Sequence, residues 1–221
     1  MAESIADRKA RARKILQRLD KAYPGATIAL RFDTPLELLV ATILSAQCTD
    51  ERVNAVTAEL FRRYRTAADY ARANPATLEQ EIHSTGFFKA KTRSLIGVGR
   101  ALVDRHAGVV PGTADELTAL PGVGRKTANV VLGNAFGVPA LAVDTHVLRV
   151  SQRLALARSD DPERVHDQLC AVIPRAQWTH ATHLLIIHGR RTCHARKPDC
   201  PRCPVNALCP WTGKGALMST K

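Results

Sequence analysis

Residues 120–128 read LPGVGRKTA, and Gly122 and Gly124 in this stretch separate two segments of helical pattern. We predict that one helix ends near Leu120 and that the next begins near Arg125. Glycine permits positive φ angles and lets a ligand approach the backbone closely. The free N–H groups at the start of the second helix form an anion site that suits a phosphate group. The stretch therefore predicts two helices joined by a tight, anion-binding glycine turn.

Lys126 lies in the first turn of the second predicted helix, where the helix dipole disfavours an added positive charge. Arg125 acts in the same direction, and both effects favour a neutral, nucleophilic amine. A solvated lysine, or one that only contacts phosphate, is an equally good interpretation of this motif taken alone.

Asp144 stands in AVDTHV (residues 142–147), directly before an apolar periodic run. The simplest interpretation is a helix N-cap. A catalytic role is compatible with capping, because a capping carboxylate stays ionised. An ionised Asp beside a neutral Lys is the pairing needed to attack a sugar C1′ atom.

Helix-start signals recur along the chain, and strand signals do not. Thr34-Pro35, Asn74-Pro75 and Asp161-Pro162 each place a capping residue before a proline, and residues 113–116 form a capping box. Apolar residues recur at three- and four-residue spacing, without clean period-2 alternation. The sequence predicts an all-α fold of about ten helices of ordinary length.

The charge balance is strongly basic: 32 Lys and Arg stand against 20 Asp and Glu, which gives +12 over 221 residues. This charge favours a polyanionic partner such as nucleic acid, although many basic proteins bind none. The N-terminus is charged where an export signal needs an apolar core, and no run is long and apolar enough to span a bilayer. We therefore expect a soluble cytoplasmic protein whose six cysteines form no disulfide framework.

Four late cysteines have the spacing C-x6-C-x2-C-x5-C, at Cys193, Cys200, Cys203 and Cys209. So dense a thiolate cluster in an intracellular chain predicts a metal site. A single CxxC pair, where zinc sites usually have two, favours one [4Fe–4S] cluster; zinc and unligated thiols are the alternatives. Four cysteine ligands leave no open coordination position, so we do not expect a hydrolytic centre. Cys48 and Cys170 fall in apolar helical segments and are predicted to be buried core thiols.

The cysteine loop is also basic. Five cations flank or interrupt the cysteines, against the single acid Asp199: Arg190, Arg191, Arg196, Lys197 and Arg202. A cluster that folds this loop could present the cations to phosphates. A merely solvated basic loop is the alternative.

Taken in order, three segments of the chain resemble the endonuclease III family of helix-hairpin-helix DNA glycosylases: LPGVGRKTA, VDTHV (residues 143–147) and HGRRTCHARKPDCPRCPVNALC (residues 188–209). SAQCTD (residues 45–50) and GFFKAK (residues 86–91) match in order as well. The resemblance implies a two-lobed all-α glycosylase fold. Residues 28–138 would form a six-helix barrel with the hairpin, and residues 1–27 with 139–221 would form the iron–sulfur cluster domain.

The resemblance also implies the chemistry. The protein would act in base-excision repair as a bifunctional glycosylase and abasic-site lyase on oxidised pyrimidines in double-stranded DNA. Lys126 would attack C1′, expel the flipped base and form a Schiff base, Asp144 would assist, and β-elimination would cut the strand. The four cysteines would hold the [4Fe–4S] cluster. We expect a monomer that associates with the nucleoid through DNA.

DNA contacts follow from the same resemblance. Gln47 would fill the gap left by the flipped base, and Phe87 stands where the family generally has a leucine wedge. A half-buried loop aromatic is the alternative for Phe87. Asp50 and His146 match positions beside the base pocket less closely, and for each of them a local cap or hydrogen-bond partner is the alternative. The remaining expected contacts are Gly122, Gly124, Arg125, Arg196 and Lys197.

Two alternatives stay open. Adenine-removing glycosylases of the same superfamily share the cluster and the aspartate, but they generally lack the hairpin lysine and carry an extra C-terminal domain. A non-catalytic hairpin protein would use the glycines and the basic loop equally well. Neither alternative requires the combination of Lys126 and Asp144.

Overall fold

The computed structural model describes residues 3–214, which form eleven α-helices and four short 3-10 turns, with no strand among them. The α-helices, in chain order, are α1 (Ile5–Ala22), α2 (Pro35–Leu44), α3 (Asp50–Arg63), α4 (Ala67–Ala71), α5 (Pro75–Ile82), α6 (Phe88–His106), α7 (Ala114–Thr118), α8 (Arg125–Ala135), α9 (Thr145–Arg153), α10 (Pro162–Val172) and α11 (Trp178–Arg191). The predicted all-α fold is confirmed.

The capping signals of the sequence mark real helix starts. The side chains of Thr34, Asn74 and Asp161 each accept a hydrogen bond from a backbone N–H in the first turn of α2, α5 and α10, and proline follows each of them. Thr113 caps α7 in the same way, by accepting from the Glu116 N–H. These helices therefore begin where local chemistry satisfies their free N–H groups.

The chain divides into two compact units. One unit is Ile28–Val138 and contains α2 to α8; the other combines the described residues up to Thr27 with those from Pro139 onward, and so contains α1 and α9 to α11. No helix within residues 3–214 has both the length and the apolar content needed to cross a membrane.

In the first unit, the long helix α6 packs closely against α4. Gly99 makes this approach possible, because a Cβ atom there would lie 2.5 Å from the Ala71 backbone nitrogen and 2.7 Å from the Ala67 carbonyl oxygen. Leu95 and Leu102 on the same face of α6 are buried. The apolar stripe of α6 thus fixes the helices that carry the loops before and after it.

In the second unit, α1 packs with α10 and α11 around an apolar core. The buried residues of α1 are Ala12, Ile15, Leu16 and Leu19, at helical spacing. Arg11 on the same helix donates to the carbonyl oxygens of Leu154 (2.5 Å) and Ala155 (3.2 Å), beyond the end of α9. The N-terminal helix is therefore joined to the C-terminal part of the chain by both apolar contacts and hydrogen bonds.

Candidate functional site

The glycine turn joins α7 to α8 as the sequence predicts, but its two glycines differ. Gly122 has a φ of 75°, and a Cβ atom there would lie 2.5 Å from Ser94 Oγ, so this position requires glycine twice over. Gly124 is extended (φ −91°, ψ 173°) and is the N-cap of α8. Nothing lies within 4 Å of its missing Cβ. Positive φ is thus confined to Gly122, and Gly124 leaves the helix start open to a ligand.

Lys126 is the second residue of α8 and its side chain is exposed. Arg125, the first residue of the helix, is exposed as well. No side chain caps the N-terminus of α8, because its N-cap is glycine. The hairpin therefore presents a lysine amine and uncapped backbone N–H groups on one exposed helix start, an arrangement that suits a phosphate and a nucleophile together.

Asp144 is the N-cap of α9: its Oδ1 accepts a hydrogen bond of 2.7 Å from the Val147 N–H. The side chain is half-buried. The capping interpretation is therefore correct. A carboxylate that accepts a helix N–H is held in one orientation, which a group that assists catalysis also requires.

His146 lies in the first turn of α9, where its Nδ1 is 3.1 Å from Nη2 of Arg149. Gly189 on α11 lets the ring approach, because a Cβ atom there would lie 3.0 Å from His146 Cβ. Burial lowers the pKa of His146, the positive charges of Arg149 and Arg190 lower it further, and the Asp144 carboxylate acts in the opposite direction. The imidazole is therefore favoured in its neutral form, as a hydrogen-bonding group rather than a cation.

Gln47 and Phe87 share a rare backbone conformation. Both are non-glycine residues with positive φ, 53° at Gln47 and 47° at Phe87. Both side chains are exposed, and Phe87 is 64% exposed. The half-buried alternative for Phe87 is therefore wrong. Side chains held outward on constrained loops are what the insertion of a residue into a duplex requires.

Neither of the two cysteines outside the late cluster is the fully buried core thiol that the sequence predicts. Cys48 lies in the turn between α2 and α3, not in a helix, and it is half-buried. The apolar pattern of α2 stops at Leu44, since the chain turns at Gln47. Cys170 does lie within α10, but it is half-buried too. Asp50 is the first residue of α3 and is also half-buried.

The four late cysteines line one cavity, together with Arg153, His188 and Trp211. They lie in the loop that follows α11, where the Cys203 N–H donates to the Cys200 carbonyl oxygen at 3.3 Å. No three or more His, Cys, Asp or Glu side chains among residues 3–214 are grouped to hold a single metal ion. Four thiols that share a cavity but form no such single-ion group fit a multi-atom cluster better than one tetrahedral ion.

Two of the four thiols, those of Cys200 and Cys203, have a raised pKa. Burial and the neighbouring thiols raise the pKa of Cys203 to about 11, although a backbone hydrogen bond acts in the opposite direction. Burial and the same kind of repulsion raise the pKa of Cys200. Iron bound in the cavity would compensate the thiolate charges, because metal ligation favours the deprotonated thiol. The donor set therefore fits an iron–sulfur cluster.

Arg153, on the last turn of α9, holds the cysteine loop from one side. Its Nη1 donates to the His194 carbonyl oxygen (2.7 Å) and lies 3.4 Å from Cys193 Sγ, and its Nη2 donates to the Ala195 carbonyl oxygen (2.8 Å). Its guanidinium lies over the Trp211 ring, 4.4 Å from the centroid. The loop is thus anchored by an arginine that the sequence reasoning missed, because these partners lie about forty residues away.

The outer cations of the loop face solvent. Arg190, Arg191, Arg196, Lys197 and Arg202 are all exposed. Arg202 pairs with Asp199 at 2.6 Å, so the one acid of the loop is already engaged. Arg196 and Lys197 lie between Cys193 and Cys200 at the tip of the loop, where exposed cations can meet phosphate.

A second missed residue is Lys91 on α6, which is buried, only 4% exposed. A signal was present in the sequence: Lys91, Leu95 and Leu102 lie on one helical face, so the lysine falls on the apolar stripe. A charged residue at such a position indicates a specific set of buried partners.

Comparison with known proteins agrees with this geometry. Residues 40–175 match the HhH-GPD superfamily of base excision DNA repair proteins. The chain is 50% identical to endonuclease III of a Synechocystis species over 211 residues, 95% of this chain and 96% of that protein. It is 43% identical to endonuclease III of Escherichia coli K12, over 93% of this chain and 98% of that protein.

Solved structures give the same result. A trapped covalent endonuclease III–DNA intermediate with an estranged adenine has a TM-score of 0.90 to this chain at 46% identity, and covers 95% of this chain and 98% of its own. A non-covalent endonuclease III–DNA complex has the same TM-score and identity, over 96% of this chain and 99% of its own. The helix-hairpin-helix glycosylase fold expected from the sequence is confirmed.

Proposed function

Because the chain belongs to the endonuclease III family of the HhH-GPD superfamily, we propose residue roles and a lesion class for the activity of that family. The protein is a base-excision repair enzyme, a DNA glycosylase that is also an abasic-site lyase, and its partner is damaged double-stranded DNA. The relatives described above are endonuclease III proteins, so neither an adenine-removing enzyme nor a non-catalytic DNA-binding protein is favoured. We further propose oxidised pyrimidines as the damaged bases.

The proposed nucleophile is Lys126. Its exposed position on the second residue of α8, directly after the glycine turn, is the observation that carries this assignment. The neutral Nζ attacks C1′ of the damaged nucleoside, and the bond to the base breaks as the base leaves with a proton. The amine and the opened sugar form a Schiff base. Removal of a C2′ proton then expels the 3′ phosphate, and water releases the lysine.

Asp144 is proposed to assist this step by taking a proton from the attacking amine, or by stabilising positive charge on the sugar. The Val147 N–H holds the carboxylate of Asp144 in place. Accepting a helix N–H keeps one oxygen oriented and leaves the other oxygen available. His146, held neutral by burial, is proposed to contact the substrate as a hydrogen-bonding group.

The DNA is proposed to be held by three groups of residues. Gly122, Gly124 and Arg125 bind a backbone phosphate at the start of α8. Arg196 and Lys197 bind phosphates through the cysteine loop. Gln47 fills the gap left by the flipped base, and Phe87 parts the base step on the opposing strand. Because its partner is double-stranded DNA, we propose that the enzyme works in the cytoplasm, at the nucleoid.

Cys193, Cys200, Cys203 and Cys209 are proposed to hold a [4Fe–4S] cluster. The support is their shared cavity and their number, since four thiolates in one loop are the ligand set of such a cluster. When bound, a cluster held by four thiolates has no open coordination position, so it supplies structural order rather than bond-breaking chemistry. The loop that carries Arg196 and Lys197 would fold around it.

Borohydride trapping on a duplex that contains thymine glycol tests the proposed function. We expect a covalent protein–DNA adduct with the wild-type protein, because borohydride reduces the Schiff base to a stable amine. Lys126→Ala should abolish the adduct and retain binding to the same duplex. Lys89→Ala, which removes an exposed lysine on α6, is the matched control and should leave trapping intact. An undiminished adduct in Lys126→Ala would exclude this lysine as the nucleophile.

A further inference from the structure

Lys91 has a buried ammonium group whose two hydrogen-bond acceptors are backbone carbonyl oxygens. Its Nζ donates to Leu44 O at 2.8 Å and to Thr85 O at 2.8 Å. The residue is 4% exposed, in the second turn of α6. Burying a cation is unfavourable unless hydrogen bonds replace its lost water. These bonds are charge-assisted and stronger than those between neutral groups, so the lysine holds both carbonyls firmly.

The two carbonyls belong to two separate loops. Leu44 is the last residue of α2, and Gln47 follows three residues later. Thr85 ends the 3-10 turn His83–Thr85, and Phe87 follows two residues later. Lys91 therefore bonds to the buried base of each loop that presents a proposed DNA-inserting side chain.

Both loops need such support. Gln47 and Phe87 have positive φ angles, a backbone conformation that is unfavourable for residues with a Cβ atom. Such a conformation persists only where the surrounding structure stabilises it. The Phe87 loop has a second link to the same lysine, because the Lys91 backbone N–H donates to Phe87 O at 3.1 Å. One residue thus restrains both strained positions at once.

We propose that Lys91 is a positioning residue for lesion recognition. Its hydrogen bonds connect the turn of residues 45–49 to residues 85–87, so that Gln47 and Phe87 keep a fixed position relative to each other when they enter the duplex. Lys91 itself is buried and contacts no DNA. The inference rests on the proposed function and deepens it: the two insertion elements, 40 positions apart in sequence, act as one rigid unit because a single ammonium group holds them.

The test compares binding to two duplexes by the full-length, cluster-loaded protein. One duplex carries a tetrahydrofuran abasic-site analogue, and the other is undamaged. Lys91→Met keeps the length of the aliphatic stem and removes every donor. We expect the preference for the abasic duplex to fall about tenfold, the scale of losing one charge-assisted hydrogen bond. Binding to undamaged DNA should change by less than about twofold, because phosphate contacts are untouched.

Leu102→Ala is the stability control. Leu102 is buried on the same helix, about three turns beyond Lys91, and makes none of the Lys91 hydrogen bonds, so its truncation destabilises the unit through a cavity and leaves those bonds in place. We expect its preference for the abasic duplex to equal that of the wild type. An equal loss of preference in Leu102→Ala would show that general destabilisation is the cause and would overturn the proposal.

A mutant cycle distinguishes failure of this inference from failure of the proposed DNA roles. Gln47→Ala with Phe87→Ala should reduce the preference, and adding Lys91→Met to that pair should reduce it no further. A further loss would show that Lys91 does not act through these residues. If the pair reduces the preference and Lys91→Met alone does not, only the role of Lys91 is overturned. If the pair keeps the full preference, the proposed insertion roles fail, and the role of Lys91 with them.

Lys91→Gln serves where Lys91→Met does not fold. Its amide retains a neutral donor on a shorter stem, so the expected loss of preference is intermediate. A Lys91→Gln protein with a lowered urea midpoint and wild-type preference would give Lys91 a purely structural role and overturn the proposal.

Discussion

The hydroxyl of Tyr23 lies 2.9 Å from Nδ1 of His188, which joins the end of α1 to α11 beside the cysteine cavity. Burial lowers the pKa of His188 to about 4, so the ring is neutral at physiological pH. Thr192 Oγ1 lies 2.8 Å from the same hydroxyl, and His188 Nε2 lies 3.7 Å from Cys203 Sγ. If Thr192 donates to Tyr23 and Tyr23 to Nδ1, the Nε2–H points at the cysteine sulfur.

Tyr23→Phe should therefore destabilise the protein. The substitution leaves the buried Nδ1 of His188 without its donor, at a cost of about 1–2 kcal/mol. Tyr70→Phe is the matched control, because the buried Tyr70 hydroxyl has no hydrogen-bond partner within residues 3–214. Its removal should be neutral or slightly stabilising. Urea unfolding of the two variants measures this difference in stability. Equal losses of stability would contradict the proposed hydrogen bond from Tyr23 to His188.

His183 on α11 should make the protein sensitive to mild acid. Burial, and more weakly the charge of His180, lowers its pKa to about 4 from an ordinary 6.5. The unfolded state therefore binds the proton first as pH falls, so this stability is fully present above pH 6.5 and is lost between 6.5 and 4. At pH 5 the loss is about 2 kcal/mol. His188, whose pKa is lowered to about 4 as well, adds a loss of its own. His183→Gln should therefore remove only its own share of the loss of urea stability between pH 7.5 and 5, whereas His83→Gln, at an exposed site, should remove none.

The cysteine cavity predicts iron and sulfide in the purified protein, about four of each per chain. Cys200→Ala should lose both elements, and it should weaken DNA binding because the basic loop unfolds without its cluster. Cys170→Ala is the matched control, since Cys170 lies on α10 and does not line the cavity. Stoichiometric zinc without iron in the wild-type protein would overturn the assignment.

The exposed cations of the cysteine loop should show in the salt dependence of DNA binding. If Arg196 and Lys197 each neutralise one phosphate, replacing both by alanine lowers the slope of log K against log salt by about 2. The affinity for damaged and undamaged duplexes should fall by the same factor. Replacing Arg62 and Arg65, two exposed arginines beside the end of α3, is the charge-matched control. An unchanged slope in the loop variant would show that Arg196 and Lys197 contact no phosphate and that the loop is only solvated.

The features that could be predicted from the sequence depend on neighbouring residues. Thr34 and Asp161 mark their helices because capping needs only a side chain and the next few N–H groups. The glycine turn follows the same rule, although which glycine takes the positive φ depends on the approach of Ser94 to Gly122. That contact links residues 28 positions apart, and periodicity carries no information about it.

The features that escaped prediction depend on distant partners. The apolar pattern of α2 predicts a helix that includes Cys48, because no neighbouring residue signals the left-handed conformation of Gln47. The turn at Gln47 follows Leu44, whose carbonyl oxygen accepts a hydrogen bond from a lysine 47 positions away. Arg153 was overlooked for the same reason, since its acceptors lie some forty residues later. Buried cations that bond backbone carbonyls become visible only once the helices are packed.

At Asp144 the role of helix cap can be separated from a role in the reaction, because asparagine caps a helix as well as aspartate does. Asp144→Asn should keep the hydrogen bond from Val147 N–H and change stability by less than about 0.5 kcal/mol, while Asp144→Ala should lose about 1 kcal/mol. Turnover on thymine glycol should fall on the order of a hundredfold or more in both variants, since neither can accept a proton. Binding to an abasic duplex should persist in Asp144→Asn. Single-turnover rates and urea curves measured on the same preparations distinguish the two roles. Near-normal turnover in Asp144→Asn would show that the carboxylate is only a helix cap. Equal losses of turnover in Asp144→Asn and Asp144→Ala, with a loss of stability in Asp144→Ala alone, would assign the carboxylate to the reaction.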